Sequence, residues 1–157
     1  VRRVAHDRRQ HVLAGRRGLL RAGEIGTGTG VGAAWIVSAL ASGTPFVSVE
    51  ADPARAAAAA TLFAQDADVR ILVGDWRDLL PAEAPFDLLF VNADDAKDDA
   101  DAVAGLMMPG GIVYLDDGTG DPDLPHPRLD AWLRHDGLAA VEIRVTPARG
   151  AILALRT

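Results

Sequence analysis

The feature that most constrains this chain is the way short apolar runs alternate with helix-like segments from about residue 19 to the end. Phe86–Val91 (FDLLFV) and residues 112–115 (IVYL) are nearly continuous apolar runs. Strands of that kind are covered on both faces, as in parallel sheets. Residues 19–25, residues 45–50 and Val69–Val73 read as three earlier strands. Helices are predicted over residues 31–41, from Asp52-Pro53 through the alanine run 56–60, over residues 97–107 and over residues 128–134. Asp52 supplies an N-cap, Pro53 a first helical residue, and the alanines high helix propensity. Pro109-Gly110-Gly111 is expected to close the third of these helices. The end of the chain differs, because residues 138–145 and 151–156 are separated by only four residues, Pro147-Ala148-Arg149-Gly150. Parallel neighbours need a crossover of about a dozen residues, so these two strands should pair as an antiparallel hairpin. The prediction is a doubly wound α/β sheet of about seven strands, parallel except for the C-terminal hairpin.

At 157 residues, 49 % of them apolar, the chain fits one domain spanning residues 1–157. No apolar stretch approaches the ~20 residues of a membrane span, and no secretory signal is visible. With no cysteines, disulfides, zinc–thiolate sites and thiol nucleophiles are excluded. A net charge of −6 argues against nucleic-acid binding. The expectation is a cytoplasmic enzyme acting on a small molecule, with neither a membrane nor a nucleic acid as partner. Seven arginines (Arg2, Arg3, Arg8, Arg9, Arg16, Arg17, Arg21) face one acid, Asp7, in the first 21 residues. They are read as a solvated helix face, with a site for an anionic substrate tail as the alternative.

Between the first strand and its helix lies Glu24-Ile25-Gly26-Thr27-Gly28-Thr29-Gly30. Glycines there let the backbone turn sharply and approach a ligand, and a helix N-terminus offers free N–H groups. A dinucleotide fingerprint counted from Gly26 would need glycine at Val31. Counted from Gly28 it runs through Gly30 to Ala33 as G-x-G-x-x-A, so a nicotinamide-dependent oxidoreductase stays open as an alternative. That enzyme would need a catalytic acid, and the single tyrosine, Tyr114, lies inside the fifth strand.

Polar residues recur where successive strands end. Glu50 closes the second strand, 24 positions after Gly26; Asp75 follows the third, Asn92 the fourth and Asp116-Asp117 the fifth. In an open α/β sheet the ligand crevice lies beyond those carboxyl ends. Each residue alone could be a cap or a turn acid, but five at corresponding places point to one site.

The ordered strings EIGTGTG, VSVEADP, GDWRDLLP, FDLLFVNADDAK and LMMPGGIVYLDD resemble the motif set of class I S-adenosylmethionine-dependent methyltransferases. More narrowly, the chain is similar to the catechol and caffeoyl-CoA type O-methyltransferases and their small bacterial relatives, from about residue 19 to residue 155. The resemblance implies a Rossmann-like methyltransferase sheet and methyl transfer to a hydroxyl of a small molecule. It implies that Gly26, Thr27, Gly28 and Gly30 admit the methionine part of S-adenosylmethionine, with Glu24 supporting the loop. Glu50 would hold the ribose, Asp75 would accept from the adenine amino group, and the Trp76 N–H would reach a ring nitrogen; Trp76 could equally be an ordinary packed aromatic. Asn92 would border both cofactor and acceptor.

In that family a divalent cation held by Asp, Asp and Asn lowers the acceptor hydroxyl's pKa. The matching positions are Asn92, Asp116 and Asp117, two carboxylates and an amide in permuted order, suited to Mg2+. The alternative is that these residues only shape the loop. Lys97, the chain's single lysine, stands two residues beyond the place of the family's general base, which is Asp95 here. Asn92, Asp116 and Lys97 are the candidate catalytic residues, although Asp94, Asp95, Asp98 and Asp99 around Lys97 favour a surface ion pair instead. His126 could line an acceptor pocket; His6 and His11 have no evident partner. The family's N-terminal helices help build the acceptor pocket and a homodimer contact, yet only about 18 residues precede the first strand. A methyltransferase-fold module that binds cofactor with little activity is therefore a further alternative.

Overall fold

A computed structural model describes residues 20–117, 127–146 and 149–157. The arginines at 2, 3, 8, 9, 16 and 17, together with His6, His11 and His126, lie outside the described residues. The elements run β1 (Ala22–Ile25), α1 (Val31–Ala39), β2 (Phe46–Glu50), α2 (Pro53–Leu62), β3 (Val69–Val73), α3 (Trp76–Leu79) and a 3-10 turn (Leu80–Ala82). They continue with β4 (Phe86–Val91), α4 (Asp94–Lys97), α5 (Ala100–Gly105), β5 (Met107–Asp117), α6 (Pro127–Leu133), β6 (Leu138–Thr146) and β7 (Arg149–Arg156).

The strand order is β3-β2-β1-β4-β5-β7-β6. β1 pairs parallel with β2 and β4, β2 with β3, and β4 with β5; β7 pairs antiparallel with both β5 and β6. The expected parallel sheet with an antiparallel C-terminal hairpin is therefore present. Every residue of β1 and β2 is buried, as two-sided covering requires. The larger core gathers Ile25, Val49, Leu80, Phe86, Leu89, Val91, Val113, Leu115, Trp132 and Ile152. Across β5, β7 and β6, by contrast, Ile112, Tyr114, Leu153, Leu155, Val141 and Ile143 remain partly exposed among the described residues.

Two predicted boundaries move. The helix expected over 97–107 is two pieces, because the Asp99 carboxylate accepts from the Ala102 N–H at 3.1 Å and restarts the helix there. β5 begins at Met107, so Pro109-Gly110-Gly111 lies inside the strand. The pairing with β4 shifts register between Phe86 and Leu88, which accommodates the three residues as an irregularity. Arg21 lies off any helix: its guanidinium bonds the Glu83 carbonyl, and its own N–H donates to Asp87 at 2.8 Å.

Candidate functional site

The chain reverses its winding between β1 and β4, the place where an open α/β sheet forms its ligand crevice. A cavity of about 580 Å³ opens there. That volume is within the ~300–1,000 Å³ of small-molecule sites. Gly26, Gly28, Glu50, Asp75, Trp76 and Asn92 all border it, bringing together six of the residues predicted from sequence.

The glycine loop forms its floor. Gly26 has φ 90°, and a Cβ there would lie 2.9 Å from the Ala93 backbone nitrogen. Gly28 has φ 56°, yet a Cβ there would meet no protein atom within 4 Å. Since Gly28 borders the cavity, a side chain at this position would project into ligand space. Gly30 faces elsewhere, against Ala59 and Leu62 of α2, and does not border the cavity.

Glu50 joins loop and helix. One carboxylate oxygen accepts from the Gly28 N–H at 2.7 Å, the other from the Asp52 N–H at 3.0 Å. Each oxygen keeps a further lone pair, so the group can still accept two hydroxyl hydrogens. Asp52 in turn caps α2, accepting from the Ala54 and Arg55 N–H groups at 2.8 and 3.1 Å. Those two bonds hold its carboxyl below the ordinary aspartate value.

The far wall rests on Asp75, which caps α3 by accepting from the Arg77 N–H at 2.8 Å. Trp76 is buried, and its indole Nε1 donates to Asp95 at 2.9 Å. Arg77 stacks 4.4 Å above the Trp76 ring and donates to the same Asp95 oxygen at 2.6 Å. Burial raises the Asp95 pKa, but the bonds from Trp76 and Arg77 outweigh it and hold the carboxyl below its usual range. Trp76 is thus both a packed aromatic and a cavity wall. Asp95 and Arg77, which sequence reasoning did not single out for this wall, lock it in place.

Beneath the loop lies a second group of polar residues. Glu24 is 0 % exposed and accepts from Ser48 Oγ at 2.6 Å. Ser48 also meets the buried Thr27 hydroxyl. Burial pushes the Glu24 pKa up to about 7; the Ser48 bond opposes this and the nearby Glu50 charge adds to it. Neither Glu24 nor Thr27 borders the cavity. They support the loop from below, and Ser48 was a legible signal missed, a lone hydroxyl in the apolar run VSVE.

On the acceptor side the residues diverge. Asn92 borders the loop cavity and offers its amide towards the Gly26 carbonyl at 3.5 Å. Asp116 borders a separate apolar groove with Gly32, Phe90 and Tyr114. β4 and β5 pair at Val91 and Leu115, so the two residues follow one another's register while facing different spaces. The Asp117 side chain lies outside the described residues, and no acidic or histidine cluster able to hold a metal occurs among those described.

Lys97 corrects an expectation outright. It is 8 % exposed, and among the described residues it has no ion pair. The acids expected to surround it are engaged elsewhere, Asp95 and Asp99 by Arg77 and Asp94 and Asp98 by Arg128. Its carbonyl accepts from Trp132 Nε1 at 2.7 Å, and it borders neither described cavity.

Residues 24–118 match the sequence profile of a methyltransferase domain family, more than half of the chain. The chain belongs to that family. The methyltransferase domain is 28 % identical over 138 residues to a protein of Mycobacterium ulcerans named as an O-methyltransferase, covering 80 % of the chain and 62 % of that relative. It thus spans less than two thirds of the relative's length. The O-methyltransferase TomG from Streptomyces achromogenes, solved with SAM, superposes with a TM-score of 0.74 at 29 % identity over 94 % of this chain and 77 % of TomG. An O-methyltransferase from Bacillus cereus solved with SAH shares the fold, with a TM-score of 0.73 at 24 % identity over 98 % of this chain and 84 % of the other. The nicotinamide reading is not favoured by any of these. No helix among the described residues of the methyltransferase domain is long and apolar enough to cross a membrane.

Proposed function

We propose that this domain transfers a methyl group from S-adenosylmethionine to a hydroxyl of a small molecule. The observation that carries the reading is Glu50, whose two carboxylate oxygens border the cavity, each with one backbone N–H and one lone pair to spare. A vicinal ribose diol matches that acceptor pair. Gly26 and Gly28 would let the backbone run beneath the methionine part, and Asp75 with the Trp76 N–H would border the adenine. When bound, S-adenosylmethionine supplies a methyl group already activated by its sulfonium.

What the chain must then provide is mainly alignment and the exclusion of water. The buried Trp76, tied down by Asp95, closes one wall. Asn92 stands at the lip of the cavity, where a methyl acceptor would meet the methyl group. Asp116 is the carboxylate on the acceptor side of β5, available to take up the hydroxyl proton. Binding calorimetry with S-adenosylmethionine, S-adenosylhomocysteine and NADH tests the cofactor, with the first two expected to bind and NADH not. A product assay over a catechol panel tests the transfer. Binding of S-adenosylmethionine with no methylation of any hydroxyl acceptor would leave a cofactor-binding module instead.

A further inference from the structure

Glu24 has no described contact with the cavity and yet is the most unusual polar group in the molecule. Its side chain is fully buried, one oxygen accepts from Ser48, and the other has no hydrogen-bond partner in the structure. The unpaired oxygen is pressed against α1, where a Cβ on Gly32 would lie 2.5 Å from it. Phe90 of β4 packs against the same Gly32 position. From β2 the facing groups are Ser48 and the charged Glu50; from the glycine loop it is the Thr27 hydroxyl. Among the described residues, α1 and β4 present no charge to it.

An ionised carboxylate would leave its second oxygen unsatisfied in an apolar pocket. A neutral carboxyl relieves the charge, and its proton gives the group a donor. The two hydroxyls can follow either state, because in the Ser48–Thr27 bond either oxygen can donate. With Glu24 ionised, Thr27 donates to Ser48 and Ser48 to Glu24. With the proton on the Ser48-facing oxygen, the chain can reverse, Glu24 donating to Ser48 and Ser48 to Thr27. Thr27 itself is buried, but it sits between Gly26 and Gly28, which both border the cavity, so the far end of this chain lies directly beneath the glycine loop.

We propose that Glu24, Ser48 and Thr27 form a hydroxyl relay that ties the protonation of a buried carboxyl to the charge on the bound cofactor, so that the site favours cationic S-adenosylmethionine over neutral S-adenosylhomocysteine. The inference rests on the cofactor reading above. Arrival of a sulfonium favours the carboxylate, and a proton passes from Glu24 to the solvent. Methyl transfer leaves a neutral thioether, the attraction disappears, and a proton returns to Glu24 as the product is released. Glu24 and Ser48 are positioning residues here, acting through Thr27 and the loop.

The sign follows from linkage. Well below neutral pH Glu24 is uncharged with either ligand and contributes no discrimination; as pH rises through about 7 the carboxylate forms and preference for the cation grows. Calorimetry of both ligands from pH 6 to 8, repeated in buffers of different ionisation enthalpy, measures affinity and proton release together. Relative to Glu24→Gln, the wild type should show a preference for S-adenosylmethionine that rises roughly three- to tenfold over this range. It should also show extra proton release with that ligand alone. Comparison with the variant cancels the titration of the ligands' own amino groups. Ser48→Ala, which keeps the carboxyl but removes its donor, should move the rise to higher pH, and it serves if Glu24→Gln does not fold. If both ligands bind and neither variant alters the pH dependence of the ratio, the relay is wrong while the cofactor reading stands. If neither ligand binds the wild type, both are wrong.

Discussion

Replacing Glu50 by Gln keeps the size of the side chain while removing its charge and one of its two acceptor oxygens. In the structure those oxygens hold the Gly28 and Asp52 N–H groups at 2.7 and 3.0 Å, and the side chain is only 7 % exposed. If ribose hydroxyls occupy the remaining lone pairs, two charge-assisted hydrogen bonds are weakened, and one oxygen becomes an amide donor facing an N–H. Bonds of this kind contribute about 1–3 kcal/mol net. The expected loss of affinity for S-adenosylhomocysteine is therefore roughly 5- to 150-fold. Part of that loss could come through the loop, since Gly28 also loses its partner. The 2′,3′-dideoxy analogue of the ligand separates the two contributions. It lacks the hydroxyls, so wild type and variant should bind it within a factor of about two if the ribose accounts for the effect. Calorimetry at constant pH, with a melting curve to show the variant folded, reads both numbers. Unchanged affinity for S-adenosylhomocysteine in a folded Glu50→Gln protein would refute the assignment, and an equal loss for both ligands would transfer it to the loop.

Glu24 also bears on stability: its folded pKa is raised to about 7, so its favourable contribution is complete below its unfolded value near 4.5 and disappears as pH rises through 7. The wild type should lose about 3 kcal/mol between those limits from this group, a slope that urea melts of Glu24→Gln should lack. Gly32→Ala should destabilise by about 1–3 kcal/mol, because its Cβ would press on a Glu24 oxygen and Phe90, whereas Gly105→Ala in α5 meets open space and should be neutral or stabilising. Equal melting temperatures for the two alanine variants would contradict that packing. Lys97→Met should leave methyl transfer within about twofold, since Lys97 borders neither cavity; a loss of about 100-fold or more would restore it as a general base. Magnesium held by Asn92, Asp116 and Asp117 is a proposal with its own signature: chelator suppresses transfer to a catechol, magnesium restores it, and Asp116→Ala abolishes the response while sparing cofactor affinity. Transfer indifferent to chelator would remove the metal.

The sheet was legible because each of its strands is encoded locally. Val69–Val73 and Phe86–Val91 stand where their apolar runs predict, and the four-residue spacing before β7 required the antiparallel end. The errors fell where a local signal had two meanings. Pro109-Gly110-Gly111 could end a helix or kink a strand, and only pairing against Phe86 and Leu88 decides for the strand. Likewise, four acids around Lys97 looked like a surface cluster, but Arg77 and Arg128 come from distant positions to take them, which no spacing along the chain reveals.

The candidate site divides along the same line. Residues that border the cavity follow strand ends, so Glu50, Asp75 and Asn92 could be found by counting. The residues beneath the cavity depend on register instead. Glu24 of β1 pairs with Ser48 of β2, and that pairing alone turns a motif acid and a strand hydroxyl into one buried unit. Gly32 belongs to this second set, since its lack of a Cβ matters only because α1 crosses Glu24. The methyltransferase domain thus carries two layers of polar residues, one bordering the cavity and one meeting only the first. The outer layer fixes which groups a ligand must offer. The inner layer, buried and short of partners, is the part whose protonation can respond to the ligand's charge, because in water-exposed positions such a response would be screened.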